Sequence, residues 1–393
     1  MKNKQKIHTA ARMAAIEPFH VMDLLAKARQ LESQGRSVVH MEIGEPDFVT
    51  PQAVVDAGVT ALQHGYTHYT PAVGLPALRS AIAQYYRQTY QVSVNPEQVI
   101  VTPGASGALL LILGVMINPG DQVLMSDPGY PCNRHFVRLM EGEAVGIPVD
   151  ATTRYQLTVE LLEKHWTAKT RAVMLASPSN PTGSIIREQP LQQLIEYIEH
   201  QGAYLIMDEI YHGLVYGTQA ATAAGRSDNV IVINSFSKYF TMTGWRLGWL
   251  VAPDSITREI DKLAQNVFLA PATISQHAAL AAFHPETVHV LEQRRAEFQR
   301  RRDYLLPQLR QMGFDIPVEP EGAFYLYADC SRFTNNSYEF CESMLHEAGV
   351  AITPGVDFGN YLPQTHVRFA YTTSMENLQE GVNRITAFLN KHS

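Results

Sequence analysis

Six short apolar runs follow one another along the middle of the chain, separated by longer stretches with helical periodicity. Between about residues 50 and 285 these runs are QVIVT, DQVLMSD, RAVMLAS, AYLIMDE, NVIVINS and RLGWLVA. Their length and β-branched content predict buried strands, and the helical stretches between them predict parallel strands joined by helical crossovers. We therefore expect an α/β fold whose large, mostly parallel sheet is covered by helices on both faces.

The pattern changes after residue 285. The segment 285–314, PETVHVLEQRRAEFQRRRDYLLPQLRQMGF, predicts one long helix that ends at Gly313. Its most basic part, EQRRAEFQRRRDY, contains interspersed acids at helical spacing, which favours a solvated helix face.

Beyond this helix, GAFYLYADC, AGVAITPG and THVRFAYTT predict short strands separated by helices. This pattern is typical of a smaller α+β domain. We predict a large domain over residues 46–285, a small C-terminal domain over 286–393, and an N-terminal segment, 1–45, that joins the small domain.

Composition restricts the class of protein. The chain has 393 residues, 46% hydrophobic and 18% charged, which is enough for two globular domains. The longest apolar stretch, ALLLILGVMI at 108–117, is too short to span a bilayer and precedes the turn signal NPGD, so it predicts a buried helix. The basic start MKNKQKIHTAARM lacks the apolar core of a secretory signal. We expect no membrane association and a cytoplasmic location.

Charge and cysteine content exclude other classes. The net charge of −7, without a dense Lys/Arg cluster interleaved with aromatics, argues against a nucleic-acid partner. Cys132, Cys330 and Cys341 form no CxxC pair and are odd in number, which predicts a reduced protein without a disulfide framework. We also expect no metal site.

One lysine, Lys238, lies in NSFSKYFTMTGWRLGWL, directly after the apolar run VIVIN. Most lysines are solvated surface residues. Here, however, VIVIN predicts a buried strand that delivers Ser235 to Lys238 into the loop at its carboxyl end, where ligands bind in open α/β sheets. Lys238 is therefore a candidate catalytic group.

Other polar residues follow the predicted strands. Asp208 ends the run YLIMD with Tyr211 three residues later, so this acid is either the N-cap of a following helix or the partner of a cationic ring nitrogen. Asn180 in ASPSNPTG follows RAVML and precedes a proline, a pattern that also fits a simple turn. In VTPGASGALL, the small residues from Gly104 to Ser106 open a helix whose free N–H groups suit an anion.

Taken together, these groups match one ligand. They supply a lysine nucleophile, an acid for a ring nitrogen, an Asn and a Tyr for a phenolic oxygen, and a helix N-terminus with Ser235, Ser237 and Arg246 for a phosphate. Pyridoxal 5′-phosphate requires a Schiff-base lysine and an acidic partner for its pyridinium nitrogen.

The sequence also resembles the class I aminotransferases of fold type I among the pyridoxal-phosphate enzymes. The resemblance runs nearly from end to end and rests on blocks that occur in the family's order: HMEIGEPDFVTP (40–51), YTPAVGLPALRSAIA (69–83), PGASGAL (103–109), DPGYP (127–131), SNPTG (179–183), DEIY (208–211), SFSKYFTMTGWRLGW (235–249) and HVRFAYTTS (366–374).

The resemblance implies roles for individual residues. Lys238 would hold the cofactor and act as the base at the substrate Cα, and Asp208 would pair with the pyridine nitrogen. Asn180 and Tyr211 would bind the ring oxygen, and Tyr130 would stack on the ring. The phosphate would be bound by residues from two loops, namely Gly104, Ala105, Ser106, Ser235, Ser237 and Arg246.

The family's active sites are shared between subunits, so the resemblance implies a homodimer in which Tyr69 contacts the neighbouring subunit's phosphate. The substrate α-carboxylate would go to Arg368, helped by Asn180 and the backbone of Gly44. In HVRFAY, the alternation of Arg368 with apolar residues also fits the outward side of a half-buried strand. A guanidinium nevertheless matches a carboxylate in geometry and charge.

The implied activity is transfer of an amino group from an L-amino acid to a 2-oxo acid, in a ping-pong cycle between pyridoxal and pyridoxamine phosphate. An alternative on the same fold is a carbon–sulfur β-lyase, since Arg368 disfavours α-decarboxylation but leaves β-elimination open. A non-catalytic ligand sensor of the transcription-regulator type would need a fused DNA-binding domain, and too few residues precede the IGEPDF block for one.

One position departs from a branch of the family. Some bacterial aspartate aminotransferases bind the distal substrate carboxylate with a lysine at the position matching Ser106. A serine lacks that charge, and the expected walls at Phe19, Val21 and Tyr130 are apolar or aromatic. We therefore predict neutral or aromatic amino donors rather than aspartate, unless a cation arrives from Arg12 or from the partner subunit.

Overall fold

The computed structural model describes residues 8–392. Its helices are α1 His20–Ser33, α2 Gln52–Gln63, α3 Pro76–Tyr90, α4 Gly104–Met116, α5 Pro131–Leu139, α6 Val159–His165, α7 Glu188–His200, α8 Asp254–Val267, α9 Thr273–Leu280, α10 Pro285–Met312, α11 Ser337–Ser343 and α12 Met375–Lys391. The strands are β1 Val39–His40, β2 Val99–Thr102, β3 Gln122–Asp127, β4 Glu143–Pro148, β5 Thr170–Ala176, β6 Tyr204–Asp208, β7 Val230–Ser235, β8 Gly248–Val251, β9 Tyr325–Asp329, β10 Val350–Ala351, β11 Thr353–Pro354 and β12 His366–Ala370.

A seven-stranded sheet in the order β2-β8-β7-β6-β5-β3-β4 forms the centre of the molecule. The pairs β4–β3, β3–β5, β5–β6 and β6–β7 are parallel, whereas β8 is antiparallel to both β7 and β2. The predicted mostly parallel α/β sheet is confirmed. The parallel orientation expected for RLGWLVA is wrong, because β7 returns to β8 through a loop without the crossover helix that parallel neighbours need.

The strand β4 was not predicted from the sequence. Its segment EAVGIP is mostly exposed or half-buried because it pairs with β3 alone, at one edge of the sheet. Edge strands carry weak apolar patterns.

Helices cover both faces of the sheet, as predicted. Alternate side chains of β6 enter different apolar clusters: Leu205 and Met207 pack with α7, whereas Ile206 packs with α4. The apolar stretch 108–117 largely coincides with α4, most of whose side chains are buried. Within residues 8–392, no helix is both long and apolar enough to cross a membrane. The first seven residues of the basic start, on which the signal prediction partly rests, lie outside the described residues.

The C-terminal part follows the predicted pattern of strands. The helix α10 ends at Gly313, whose φ of +107° suits glycine. The strands β11, β12 and β9 form an antiparallel sheet, and β1 pairs in parallel with β10, which joins the N-terminal segment to this region. The domain boundaries at residues 45 and 285 remain a prediction.

Two arginines of α10 contradict the expected solvated face. Arg301 and Arg302 are buried. Arg301 donates to both carboxylate oxygens of Asp47, at 2.8 and 3.0 Å, and its guanidinium carbon lies 5.1 Å from the ring centroid of Phe48. A bidentate ion pair and an aromatic face compensate for the burial of this charge. The pair attaches the GEPDF loop to α10.

Candidate active site

Side chains from several chain segments meet at the carboxyl edge of the parallel strands. Asp208 is the last residue of β6, Ser235 is the last residue of β7, and Asn180 lies in the turn that follows β5. Because neighbouring parallel strands end at the same edge, residues distant in sequence become neighbours. The predicted ligand-binding edge therefore carries the predicted polar groups.

Lys238 lies in the loop after β7, and its amine points into this edge. Its Nζ donates to the carbonyl oxygen of Gly44 at 2.6 Å and lies 5.9 Å from the ring centroid of Tyr211. Burial lowers the pKa of Lys238 to about 8; the cations Arg368 and Arg246 act in the same direction, whereas Glu45 and Asp208 oppose it. The neutral fraction of the amine near physiological pH is therefore far larger than that of an ordinary lysine, which favours its action as a nucleophile or base.

Asp208 is buried at the end of β6. Its Oδ1 accepts a hydrogen bond from the backbone N–H of Ile210 at 3.0 Å. Burial raises the pKa of Asp208 to about 6, while this hydrogen bond and the charge of Lys238 act against the rise. Turns follow at 210–213, and the next α-helix begins only at Asp254, so the alternative role as a helix N-cap is wrong. A cationic partner, such as a protonated ring nitrogen, stabilises the charged form of a buried carboxylate.

The N-terminus of α4 has the features of an anion site. No side chain caps it, and its first turn contains no acidic residue. Helix geometry leaves the first N–H groups, which include those of Ala105 and Ser106, without partners inside the helix. A Cβ atom on Gly104 would lie 2.8 Å from Nη2 of Arg246, so this glycine, with φ of +72°, lets the guanidinium approach the helix end.

The strand β8 and the loop after β7 complete this anion site. A Cβ atom on Gly248 would lie 2.8 Å from the backbone nitrogen of Ala105, which shows how closely β8 passes the helix end. Ser235 and Ser237 are buried, and Ser235 Oγ accepts from the N–H of Ser237 at 3.0 Å. Free N–H groups, hydroxyls and one guanidinium are the donors that suit a phosphate dianion.

Arg368 is only 3% exposed, and every residue of β12 is buried. The alternative of an outward-facing arginine on a half-buried strand is therefore wrong. Its Nη1 donates to Asn180 Oδ1 at 2.9 Å, and its Nη2 donates to the carbonyl oxygen of Glu42 at 2.5 Å and to Thr353 Oγ1 at 3.1 Å. Its hydrogen bonds within residues 8–392 go to these neutral acceptors alone, and Asp357, on which its charge acts, is not hydrogen-bonded to it. A buried cation held only by neutral acceptors is well suited to bind a carboxylate.

Sequence reasoning missed the aromatic residues around Arg368. The guanidinium carbon lies 4.3 Å from the ring centroid of Tyr325 and 4.9 Å from that of Phe358. Tyr325 also forms a 2.8 Å hydrogen bond with the hydroxyl of Tyr211, and a Cβ atom on Gly44 would lie only 1.9 Å from the Tyr325 hydroxyl. The signal in the sequence was a tyrosine inside the buried run FYLYA, since a buried hydroxyl needs a partner.

Some predicted residues are exposed in the single chain or lie at the edge of this cluster. Tyr69 is 83% exposed, and Ser106 and Arg246 are also exposed. Tyr130, at the N-cap of α5, lines a cavity that also contacts Asn180. Arg12 forms a surface ion pair with Glu141 at 2.8 Å, so it is engaged elsewhere.

The predicted walls near the N-terminal segment lie around the start of α1. Val21 is buried, and its N–H donates to a carboxylate oxygen of Asp357 at 2.8 Å. Phe19 is half-buried and lines a small cavity with Pro131 and Arg134. Neither residue forms part of the cluster around Lys238.

The residues present fit pyridoxal 5′-phosphate. The uncapped end of α4 opposite Arg246 suits its phosphate, the buried Asp208 suits its ring nitrogen, and the amine of Lys238, with its lowered pKa, suits its aldehyde. Residues 8–392 contain no group of three or more His, Cys, Asp or Glu side chains that could hold a metal ion.

Comparisons with known proteins agree with this arrangement. A family model described as aminotransferase class I and II matches residues 36–385. The (5-formylfuran-3-yl)methyl phosphate transaminase of Methanocaldococcus jannaschii is 40% identical over 97% of this chain and 99% of that protein. The valine–pyruvate aminotransferase of Mycobacterium tuberculosis is 38% identical over 96% and 97%, and an aspartate aminotransferase of Bacillus sp. strain YM-2 is 36% identical over 97% and 98%.

The fold is also that of a solved structure. The crystal structure of an aminotransferase from Mycobacterium tuberculosis superimposes with a TM-score of 0.95 at 37% identity, covering 98% of this chain and all of that one.

Proposed function

The chain belongs to the class I and II aminotransferases, pyridoxal-phosphate enzymes that move an amino group from an amino acid to a 2-oxo acid, and from this premise we propose which residues carry the reaction and which donors it takes. One observation carries the assignment of residues. At the carboxyl edge where Asp208 ends β6, the amine of Lys238 donates to the carbonyl of Gly44 at 2.6 Å, and Arg368 donates to Asn180 at 2.9 Å. A single small ligand-binding site at Lys238 follows.

The residues around Lys238 would bind and orient the cofactor. Ala105, Ser106, Ser235, Ser237 and Arg246 would hold the phosphate next to the N-terminus of α4, whose glycine, Gly104, allows the close approach. Asn180 and Tyr211 would bind the ring oxygen, and Tyr130 would cover the ring. These contacts fix the orientation of the bond to be broken before chemistry begins.

The bound cofactor supplies an electron-withdrawing ring that makes the Cα proton of the amino acid removable. Asp208 keeps the ring nitrogen protonated, because a buried ion pair favours the charged form of both partners. Lys238 would take the proton from the substrate Cα as a general base and would return it as a general acid. Its lowered pKa keeps the amine available for both transfers near neutral pH.

Arg368 binds the α-carboxylate, the one group that every amino acid and every 2-oxo acid shares. Its hydrogen bonds to Asn180, Glu42 and Thr353 hold the guanidinium in place. A fixed planar fork loses little freedom when it binds a carboxylate in bidentate geometry. The carbon–sulfur lyase alternative gains no support, since the relatives described above carry transaminase names.

We propose a homodimer with shared active sites. Tyr69 is exposed, and other large apolar side chains of the described residues are exposed as well, among them Leu62, Tyr66, Val267 and Leu269. This number of exposed large apolar side chains favours a surface that a second subunit covers.

Hybrid dimers of Tyr69→Phe and Lys238→Ala subunits test the shared site. One site of each hybrid would carry both defects and the other neither, so the hybrid should recover activity that both parent variants lack. A hybrid no more active than its parents contradicts the sharing.

For the amino donor we propose neutral or aromatic amino acids rather than aspartate. Ser106 supplies no cation at the exposed first turn of α4, and Arg12 is engaged with Glu141. Relatives of similar identity carry both valine–pyruvate and aspartate names, so overall similarity does not decide the donor.

Single-turnover rates with aspartate, alanine, phenylalanine, methionine and glutamate at equal concentrations test this preference. Aspartate reacting fastest by about tenfold or more, which corresponds to about 1.4 kcal/mol, contradicts it. A Ser106→Lys variant should shift the ratio of rates towards aspartate, with Ser106→Gln as the matched uncharged control.

A cytoplasmic location is also proposed. The three cysteines Cys132, Cys330 and Cys341 are free, which suits a reducing compartment. Fractionation of the source cells with an antibody against the chain tests it.

A further inference from the structure

The side chains of His40 and Glu42 form a pair directly behind the backbone that holds Arg368. Glu42 is fully buried, and its Oε1 lies 2.7 Å from Nδ1 of His40. Its Oε2 is buried without a hydrogen-bond partner within residues 8–392. On its other side, the His40 ring contacts Glu32 of α1, with 3.1 Å between Nε2 and Oε1. Among the described residues, His40 is therefore the one side chain bonded to the buried carboxyl group.

The backbone next to this pair contacts both functional cations of the site. The carbonyl of Glu42 accepts from Nη2 of Arg368 at 2.5 Å and from Thr353 Oγ1 at 3.0 Å. Two residues later, the carbonyl of Gly44 accepts from Nζ of Lys238 at 2.6 Å. A small displacement of the segment 42–44 therefore moves the acceptors of Arg368 and of Lys238 together.

Electrostatics favour a charged pair. The hydrogen bond to Glu42 is the largest of the effects that raise the pKa of His40 to about 9, against the lowering effect of burial, with Glu32 adding to the rise. The imidazole therefore carries a charge at neutral pH, and a buried carboxylate is tolerated because this cation is bonded to it. His40 is the last residue of β1, and Glu42 lies just beyond the end of that strand.

We propose that His40 and Glu42 are positioning residues that hold the carbonyls of Glu42 and Gly44 against Arg368 and Lys238, and so set the affinity of the enzyme for the substrate α-carboxylate. This inference rests on the function proposed above. Neither side chain contacts the expected position of the substrate. Both act through the backbone.

The test compares breaking the pair with removing it. His40→Leu leaves Glu42 as an uncompensated buried carboxyl group, and a buried polar group without its partner is costly. We expect KM for the best amino donor to rise by about tenfold, while kcat stays within about twofold. The double variant His40→Leu/Glu42→Met replaces both groups by apolar side chains of similar size, so it removes the pair without leaving a buried charge, and it should keep KM raised by about tenfold.

Two further variants keep the test decisive. Glu32→Gln changes only the exposed outer partner of His40 and should leave KM within about twofold. His40→Gln keeps a neutral donor towards Glu42, so it should fold even where His40→Leu does not, and KM should rise by about threefold.

The outcomes separate the possibilities. A lower melting temperature with unchanged KM in both His40 variants shows that the pair is only structural and overturns the inference. A raised KM in His40→Leu that the double variant restores overturns it as well, since the uncompensated carboxyl group of Glu42 rather than the loss of the pair is then responsible. A wild-type protein that transaminates no amino acid instead contradicts the function proposed above.

Discussion

The two halves of the candidate site are built in different ways. The half that faces the cofactor, with Asp208, Ser235 and Lys238, comes from the ends of neighbouring strands of one sheet. The half that faces the substrate carboxylate is centred on Arg368, which bonds to Glu42 across 326 positions and to Asn180 across 188. The sheet positions the residues of the cofactor half, whereas the packing of distant chain segments positions Arg368 in the carboxylate half.

This difference predicts how each half responds to change. Groups on the sheet edge are held by buried backbone hydrogen bonds. Substitutions there should therefore lower kcat while the neighbouring groups keep their positions. Arg368 is positioned by neutral acceptors and aromatic rings from the segment after β1, from β9 and β11 and from the turn after β5, so its variants should mainly lose affinity. The following experiments test that contrast, from the largest expected effect to the smallest.

Lys238→Ala should have the largest effect. Removing the group that both holds the cofactor and moves the proton should lower kcat by about four orders of magnitude or more, while the protein stays folded. Steady-state rates and melting temperatures measure this. Lys262→Ala, on the exposed face of α8, is the control and should retain full activity. Borohydride reduction and peptide mapping should label Lys238 in the wild type; a label on another lysine refutes the assignment.

Asp208→Asn should lower kcat by about two to three orders of magnitude while the cofactor stays bound. An amide has nearly the same shape as the carboxyl group but cannot stabilise a protonated ring nitrogen. Rates and the absorbance of the bound cofactor measure the two effects separately. Near-normal turnover would mean that Asp208 only accepts the Ile210 hydrogen bond.

Arg368→Lys should mainly raise KM, by about 30- to 100-fold, because a lysine keeps the charge but loses the planar bidentate geometry. The expected change in kcat is smaller than for the two sheet-edge variants. KM and kcat for one amino donor, measured beside those of Asp208→Asn, make the comparison. A loss in kcat as large as that of Asp208→Asn would remove the proposed distinction between the two halves.

The smallest effect concerns pH. Because the pKa of Lys238 is lowered to about 8, the fraction of neutral amine grows as pH rises and levels off above that value. The rate at which cofactor-free protein captures pyridoxal 5′-phosphate should therefore rise about fivefold from pH 7 to pH 8 and then flatten. Stopped-flow absorbance between pH 7 and 10 measures it. A rate that keeps rising to pH 10 indicates an ordinary lysine.

Much of the fold follows from local patterns in the sequence. The runs before Asp208 and Lys238 predicted the strands that end beside these residues, and the structure confirms β6 and β7 there. The same rules gave β8 the wrong direction and missed β4. Strand direction depends on the connecting loop, and edge position depends on the neighbours, neither of which is local.

By itself, the sequence determined which residues stand at the strand ends and that they suit a phosphate, a ring nitrogen and an aldehyde, because strand periodicity and residue chemistry are local properties. Only the tertiary structure decided that Arg368 is buried without an acidic partner, that Tyr325 occupies the space a side chain at position 44 would need, and that the basic run of α10 buries Arg301 against Asp47. Burial and partner choice depend on contacts between residues far apart in the chain. A pattern of neighbouring residues contains no information about such contacts.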